Sequence, residues 1–250
     1  MGAEQNGIWR DTTDLMVYGH EGWLELTGSH GHEGKDFEVH FKYGHNLRPD
    51  GLTRKEGLKA WLANPDGEVK EINLAVGGLE HYSLTFPTIS EGFYQVVAVN
   101  NSNYAISKGG KYLLGTRREY PDADKSISYN QYAQVFLPVG HDLEGVPRPA
   151  GIPLEIVAPS WKPWRAGDKI SLQIIFRGEP LDGAAIDIAY NGPAGYRQRQ
   201  IMTDAEGRIN LTADDPGYYL IVVRHQVPES EVGVYDEKSF TTTLWFMVTK

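Results

Sequence analysis

The chain has 250 residues, a formal net charge of −9 and a pI near 5.4. An acidic surface repels phosphate backbones and anionic lipid, so nucleic acid and membrane-surface partners are disfavoured and cations are the natural small partners. There is no cysteine, which excludes thiolate metal centres, disulfides and cysteine nucleophiles.

The length points to two domains. Hydrophobic residues at 40% and charged residues at 23% describe a globular chain rather than a disordered one. No run of about 18 apolar residues is present, so no segment reads as a membrane-spanning helix. Residues 1–17 are polar, lack the apolar core of a signal peptide and read as an N-terminal extension.

From residue 18 onward, short strands alternate with turns. Residues 22–27 read as a strand and 28–34 as a Gly-rich turn. In 36–43, Phe37, Val39 and Phe41 alternate with Glu38, His40 and Lys42, the period-two pattern of a half-buried strand. Strands follow at 58–62, 69–74, 81–86 and 93–100. Residues 102–124 show no periodicity and read as a long irregular loop. Residues 132–139 return to strand character.

Four prolines and three glycines fall between 138 and 153. Proline stiffens a chain and removes ladder donors, so 143–152 reads as a Pro-rich linker between an N-terminal domain at 18–142 and a C-terminal domain at 153–250. The second half carries strands at 154–157, 170–176, 184–189, 208–211, 218–223 and 241–248, with turns at 180–183 and 203–207. This spacing implies an all-β chain of two immunoglobulin-like or transthyretin-like β-sandwich domains in tandem. No segment reads as a helix. The Trp161/Trp164 pair is expected to pack the domain junction.

Histidine placement is the informative feature. Of eight histidines, His20, His30, His32, His40 and His45 crowd into 26 positions, and His81 and His141 follow in the same half. Neutral imidazoles without cysteine suit Ni(II), Co(II), Cu(II) and Zn(II) better than the oxygen-seeking Ca(II) and Mg(II). Each histidine also has an ordinary reading. His40 alternates with charged neighbours and belongs on a solvated strand face, and His225 ends a strand and reads as structural. His30 and His32 flank Gly31 in a polar turn. His20 and His45 each follow a glycine, which permits a bend that aims the next side chain.

No phosphate-binding loop, nucleophile elbow or His-Glu-x-x-His is present, so the chain does not read as an enzyme. A metal-dependent hydrolase would need a general base such as Glu21 or Glu80, and no motif places one.

The segment His20-Glu21-Gly22-Trp23-Leu24 resembles the opening "His-x-x-Trp-Leu" of bacterial periplasmic nickel-uptake substrate-binding components, relatives of the nickel-transport M subunit that are otherwise domains of unknown function. Phe41-Lys42-Tyr43-Gly44-His45 is similar to their "Gly-His" strand end. Gly92-Phe93-Tyr94, Tyr132-Ala133-Gln134, Gly151-Ile152-Pro153-Leu154-Glu155-Ile156-Val157, Phe176 to Ala184 and Thr203-Asp204-Ala205-Glu206-Gly207 match further motifs. The likeness covers about 18–250, and Gln134 stands where the family has lysine. It implies a periplasmic or cell-surface protein whose signal peptide has been removed, a Ni(II) or Co(II) ligand, with Zn(II) or Cu(II) also suited, and delivery to a membrane metal-uptake transporter.

These readings combine into a binding protein that uses His20, His45, His81 and His141, with His30 and His32 as a capture pair. If 22–43 is a hairpin, His20 and His45 share its open end while His30 and His32 sit at the turn, roughly 20 Å away. The alternative is an adhesion or carbohydrate-binding module that stacks ligand on exposed Trp and Tyr, and there the histidines are incidental.

Overall fold

The computed structural model describes residues 19–250, so the N-terminal extension expected at 1–17 lies outside the described residues. The first half supplies β1 (Glu21–Leu26), β2 (Lys35–His45), β3 (Arg48–Gly51), β4 (Leu58–Ala63), β5 (Val69–Ile72), β6 (Ala75–Val76), β7 (His81–Thr88), β8 (Gly92–Ile106), β9 (Tyr112–Leu114) and β10 (Lys125–Val139). The second half supplies β11 (Leu154–Val157), β12 (Lys169–Phe176), β13 (Glu179–Pro180), β14 (Ala185–Gly192), β15 (Gly195–Met202), β16 (Arg208–Thr212), β17 (Gly217–Val227) and β18 (Glu237–Val248). Among the described residues there is no helix. The chain is all-β and sandwich-like.

Three sheets build it. One runs β1-β2-β7-β6, with β3 on β2. A second runs β11-β12-β13, with β16 on β12. Between them lies a nine-stranded sheet ordered β15-β14-β17-β18-β10-β8-β4-β5, with β9 on β8. This sheet crosses from one half of the chain to the other where β10 pairs in parallel with β18. The two halves therefore share a sheet, and the linker residues are not their only connection.

The centre of that sheet is covered on both faces. In β17, Leu220 and Val222 enter the core beneath β1, β2 and β7, while Ile221 and Val223 enter the core beneath β11, β12 and β16. In β10, Val135 and Leu137 take the first core and Phe136 the second. In β18, Trp245 takes the first and Phe246 the second. A strand buried on both faces loses polar alternation, which is why Ser239 to Phe246 are buried without a break. Threonines in that run bond backbone carbonyls: Thr242 Oγ1 to Leu154 O at 2.6 Å and Thr243 Oγ1 to Gly22 O at 2.8 Å.

Gln134, at the family's lysine position, is fully buried. Its Nε2 donates to Ile156 O at 2.7 Å and its Oε1 accepts from Ile156 N at 3.2 Å, so one amide stitches the central sheet to β11. Trp161 and Trp164 are buried on the second core against Phe136 and Phe246. In the linker, Gly145 and Trp161 exchange two backbone hydrogen bonds at 2.9 and 2.7 Å, and Ala150 N and Gly151 N donate to the Glu155 carboxylate.

The long loop expected at 102–124 is a correction. Residues 102–106 continue β8, 112–114 form β9, and β10 begins at Lys125 rather than near Tyr132. Asn101, Ser102 and Asn103 erase the hydrophobic alternation, yet their backbone is fully paired with Ser128, Tyr129 and Asn130 of the long partner strand. The strands β3, β6, β13 and β15 were not expected. Each is short or polar, and β15 carries Arg197, Gln198, Arg199 and Gln200 along the sheet's end.

Candidate metal centres

The β1–β2 hairpin has two ends, and histidines gather at both. At the open end, Glu21 pairs with Gly44, so the next positions outward, His20 and His45, face each other. Their ring centroids are 3.9 Å apart. One carboxylate oxygen joins them: Asp50 Oδ2 lies 2.9 Å from His20 Nε2 and 3.1 Å from His45 Nδ1. Asp50 reaches this point because Asn46 and Leu47, with φ of 47° and 70°, make a tight left-handed reversal between β2 and β3. Gly44 lies so close to the returning Arg48 and Pro49 backbone that a Cβ would collide with it.

The support beneath this cluster is Glu21. It is fully buried, accepts a hydrogen bond from Asn46 N and pairs with Arg224 Nη2 at 2.6 Å. Burial pushes its carboxyl up to about 7, with Arg224 opposing the rise. Arg224 also holds Gly19 O at 2.8 Å and Asp187 at 2.8 Å, so a second-half strand fixes the residue before His20. Glu21 is thus committed to structure, whereas an exposed general base would have to be free. Burial, then the neighbouring His20, pulls the His45 imidazole below its ordinary value. The His45 Nε2 atom is buried with no hydrogen-bond partner.

At the turn end, Gly31 forms a parallel bridge with Val139. Gly31 N donates to Pro138 O at 2.8 Å, and Gly140 N donates to Gly31 O at 3.0 Å. The bridge brings the turn against the end of β10, and His141 arrives beside His30 and His32. Ring centroids are 4.7 Å apart for His30–His32, 4.7 Å for His30–His141 and 5.2 Å for His32–His141. One ligand atom from each of the three lies within 4.8 Å of the others. His30 Nδ1 is 2.9 Å from Ser29 Oγ, which turns Nε2 into the only free ring nitrogen, and that atom is buried without a partner. Desolvation first, and then the neighbouring His141 and His32, depress the His30 imidazole's affinity for a proton.

His81 and His141 were expected beside His20 and His45, and the structure places them elsewhere. His141 completes the turn-end cluster. His81 stacks on His40, with centroids 4.0 Å apart and planes 26° from parallel. It faces Lys42 across the β2–β7 ladder, several residues from the open end. His40 was assigned to a solvated face and is half-buried there, 3.2 Å from Glu38 Oε1. His225 packs edge-on against Phe176.

Asp50 was missed. Its sequence signal was an acid five residues beyond His45, on the short strand that follows the Asn-Leu reversal. His141's partners had no sequence signal, because the Gly31–Val139 bridge joins segments about a hundred residues apart.

No curated protein matches the chain in sequence. Among solved structures it is similar to a DUF4785 family protein from Legionella pneumophila, at 11% identity and TM-score 0.30 over 80% of this chain and 50% of that one. It is also similar to the tetra-tandem repeat in the extending region of a large adhesion protein, at 11% identity and TM-score 0.27 over 92% and 49%. Trypsin-activated alpha-2-macroglobulin from Escherichia coli gives 11% identity and TM-score 0.26 over 93% and 16%. The chain thus spans half or less of the length of these structures. A family model described as a domain of unknown function, DUF4198, matches residues 17–227, and the chain belongs to that family.

Proposed function

We propose that this protein is an extracytoplasmic binding protein for a transition-metal ion, Ni(II) or Co(II), which it passes to a membrane uptake transporter. The observation that carries the reading is the turn-end cluster. Three imidazoles converge, with the Asp142 carboxylate nearby but outside the set, and the buried His30 Nε2 has no partner. Neutral imidazoles gain little from one another, and any proton taken up by one repels its neighbours; burial and the other two rings outweigh the nearby Asp142 at His30. A divalent cation with a preference for nitrogen gives the convergence a purpose. The Ser29 hydroxyl against His30 Nδ1 is the outer contact that fixes a ligating imidazole's tautomer and orientation.

The open-end cluster offers two nitrogens and one oxygen, a second set of the same class. The metal and the transporter come from the resemblance to nickel-uptake components, while donor chemistry supports the broader transition-metal class. Trp161 and Trp164 are buried in the core, so this pair offers no sugar-stacking platform.

The test is elemental analysis of the full chain after incubation with equimolar Ni(II), Co(II), Cu(II) and Zn(II) and desalting. The expected result is retained nickel or cobalt, abolished in the variant that combines His20→Ala, His30→Ala, His32→Ala, His45→Ala and His141→Ala. No retained metal in the wild-type chain overturns the reading.

A further inference from the structure

Behind His20 lies a cavity of about 450 Å³. That volume is in the range of small-molecule sites and much larger than an ion requires. Its walls come from both halves of the chain, meeting where β8, β10, β17 and β18 pass the open end of the hairpin. Four tyrosines, Tyr43, Tyr104, Tyr112 and Tyr129, face it together with Gln131 and Thr241. Tyr104 meets Tyr112 and Tyr129 edge-to-face, at 6.4 Å and 70° and at 5.9 Å and 77°, so aromatic walls stand at steep angles around the space. The fourth wall is the His20 ring, stacked on Tyr43 at 5.3 Å and 16°. Gln131 Nε2 donates to His20 O at 2.6 Å and holds that wall in place.

His20 is therefore shared: one ring belongs both to the His20–His45–Asp50 cluster and to the cavity. The cluster supplies three donors, two nitrogens and one oxygen. An octahedral Ni(II) or Co(II) ion held by them keeps positions open for other ligands. The cavity beside it offers hydroxyls, the amides of Gln131 and Gln226, the His225 imidazole and aromatic faces. Its one guanidinium, Arg224, is already matched by Glu21 and Asp187. Such walls suit a small polar organic molecule with little net charge and give no excess positive charge to attract a free polyanion.

We propose that the cavity binds a small amino-acid-type chelator, so that the open-end cluster receives its metal ion as a mixed complex with that chelator rather than as a bare ion. This deepens the metal-binding reading and rests on it. A tridentate amino-acid anion fills the positions that the three protein donors leave. With Asp50 ionised, a divalent ion and a monoanionic chelator form a neutral unit, which matches the charge-compensated walls. The turn-end cluster adjoins a smaller cavity of about 250 Å³, lined by Trp and Phe rather than Tyr, and is the site for the bare ion.

The experiment uses the full chain carrying His30→Ala/His32→Ala/His141→Ala, which silences the turn end. It is dialysed against nickel alone, nickel with one equivalent of labelled L-histidine, labelled L-histidine alone, and nickel saturated with EDTA. The expected result is about one histidine co-retained per nickel, little histidine without nickel and none of the EDTA complex. Tyr104→Ala should lower co-retention tenfold or more, and Tyr104→Phe should restore it, with unchanged circular dichroism in both. Nickel retained without histidine overturns the inference and leaves the metal reading standing. Histidine retained equally without nickel makes the cavity an organic-ligand site and also overturns it. If neither nickel form is retained, here or by the wild-type chain, the metal reading falls and the inference falls with it.

Discussion

His20 and His45 face each other across the open end of the first hairpin, their rings 3.9 Å apart, although 25 positions separate them in the chain. Both imidazoles share Asp50 Oδ2. Replacing Asp50 with Asn keeps a hydrogen-bonding group of the same shape and removes the anion. Asp50→Asn should weaken metal binding at this end by about 10–100-fold, the range expected when a supporting carboxylate is lost. Calorimetric titration with the nickel–L-histidine complex, with the turn-end histidines replaced by Ala, reads this directly, and an unchanged affinity would reduce Asp50 to a spacer between two imidazoles.

The turn end depends on Gly31. A Cβ there would meet Val139 Cγ2 at 3.1 Å, so the side chain of the residue that anchors the bridge to β10 has to shift by a few tenths of an ångström. Gly31→Ala should therefore separate His30 and His32 from His141 and lower metal retention about tenfold. Gly28→Ala is the control, because its Cβ would meet Phe37 at an ordinary 3.8 Å. Equal effects from the two would place the loss in general loop disturbance rather than in the bridge.

These two ends show what the sequence carried. The hairpin is local: alternation through Phe37, Val39 and Phe41 sets its strands, the Gly-rich stretch sets its turn, and a hairpin returns to where it began. The meeting of His20 with His45 follows from that alone. His141 reaches His30 only through a bridge between Gly31 and Val139, and no periodicity encodes a contact of that range. The same holds for β10 beside β18. A parallel pair between distant strands leaves only a continuous apolar run as its trace, and here β10 carries glutamine and β18 threonine inside the run. Those polar residues are satisfied by backbone groups of the covering sheets, which are invisible until the sheets are in place.

Gln134 tests that account. It is fully buried, and its amide makes both hydrogen bonds of Ile156. Gln134→Ala would leave a buried N–H and a buried C=O unpaired and open a small cavity. The expected loss is about 3 kcal/mol, combining a penalty of about 1–3 kcal/mol for unsatisfied groups with the cavity. Urea denaturation should show a lower midpoint, with metal binding by the remaining folded protein unaltered. A change under about 1 kcal/mol would mean that the two sheets close without this amide.

The last prediction concerns acid. In metal-free protein, burial holds the His30, His45, His81 and His225 imidazoles below their ordinary value of 6.5. Below pH 6.5 the unfolded chain therefore binds more protons at these positions than the folded one, and stability falls as the pH drops toward the folded values. Glu21 has the opposite sign. Its carboxyl lies at about 7 in the fold against an ordinary 4.5, so between those limits the folded chain holds the extra proton. Its contribution is fully present below pH 4.5 and is lost as the pH rises through 7. The wild-type profile is the difference of these two trends and should be shallow between pH 8 and pH 5. Glu21→Gln removes one of them, and its stability should fall more steeply over the same interval. The gap that opens between the two proteins should be on the order of 2–3 kcal/mol, taking about 1.4 kcal/mol for each pH unit separating the two carboxyl values. Urea midpoints at pH 8, 6.5 and 5, with EDTA present, measure it. Parallel profiles for the two proteins would show that Glu21 does not change protonation on unfolding, and that its pairing with Arg224 outweighs its burial.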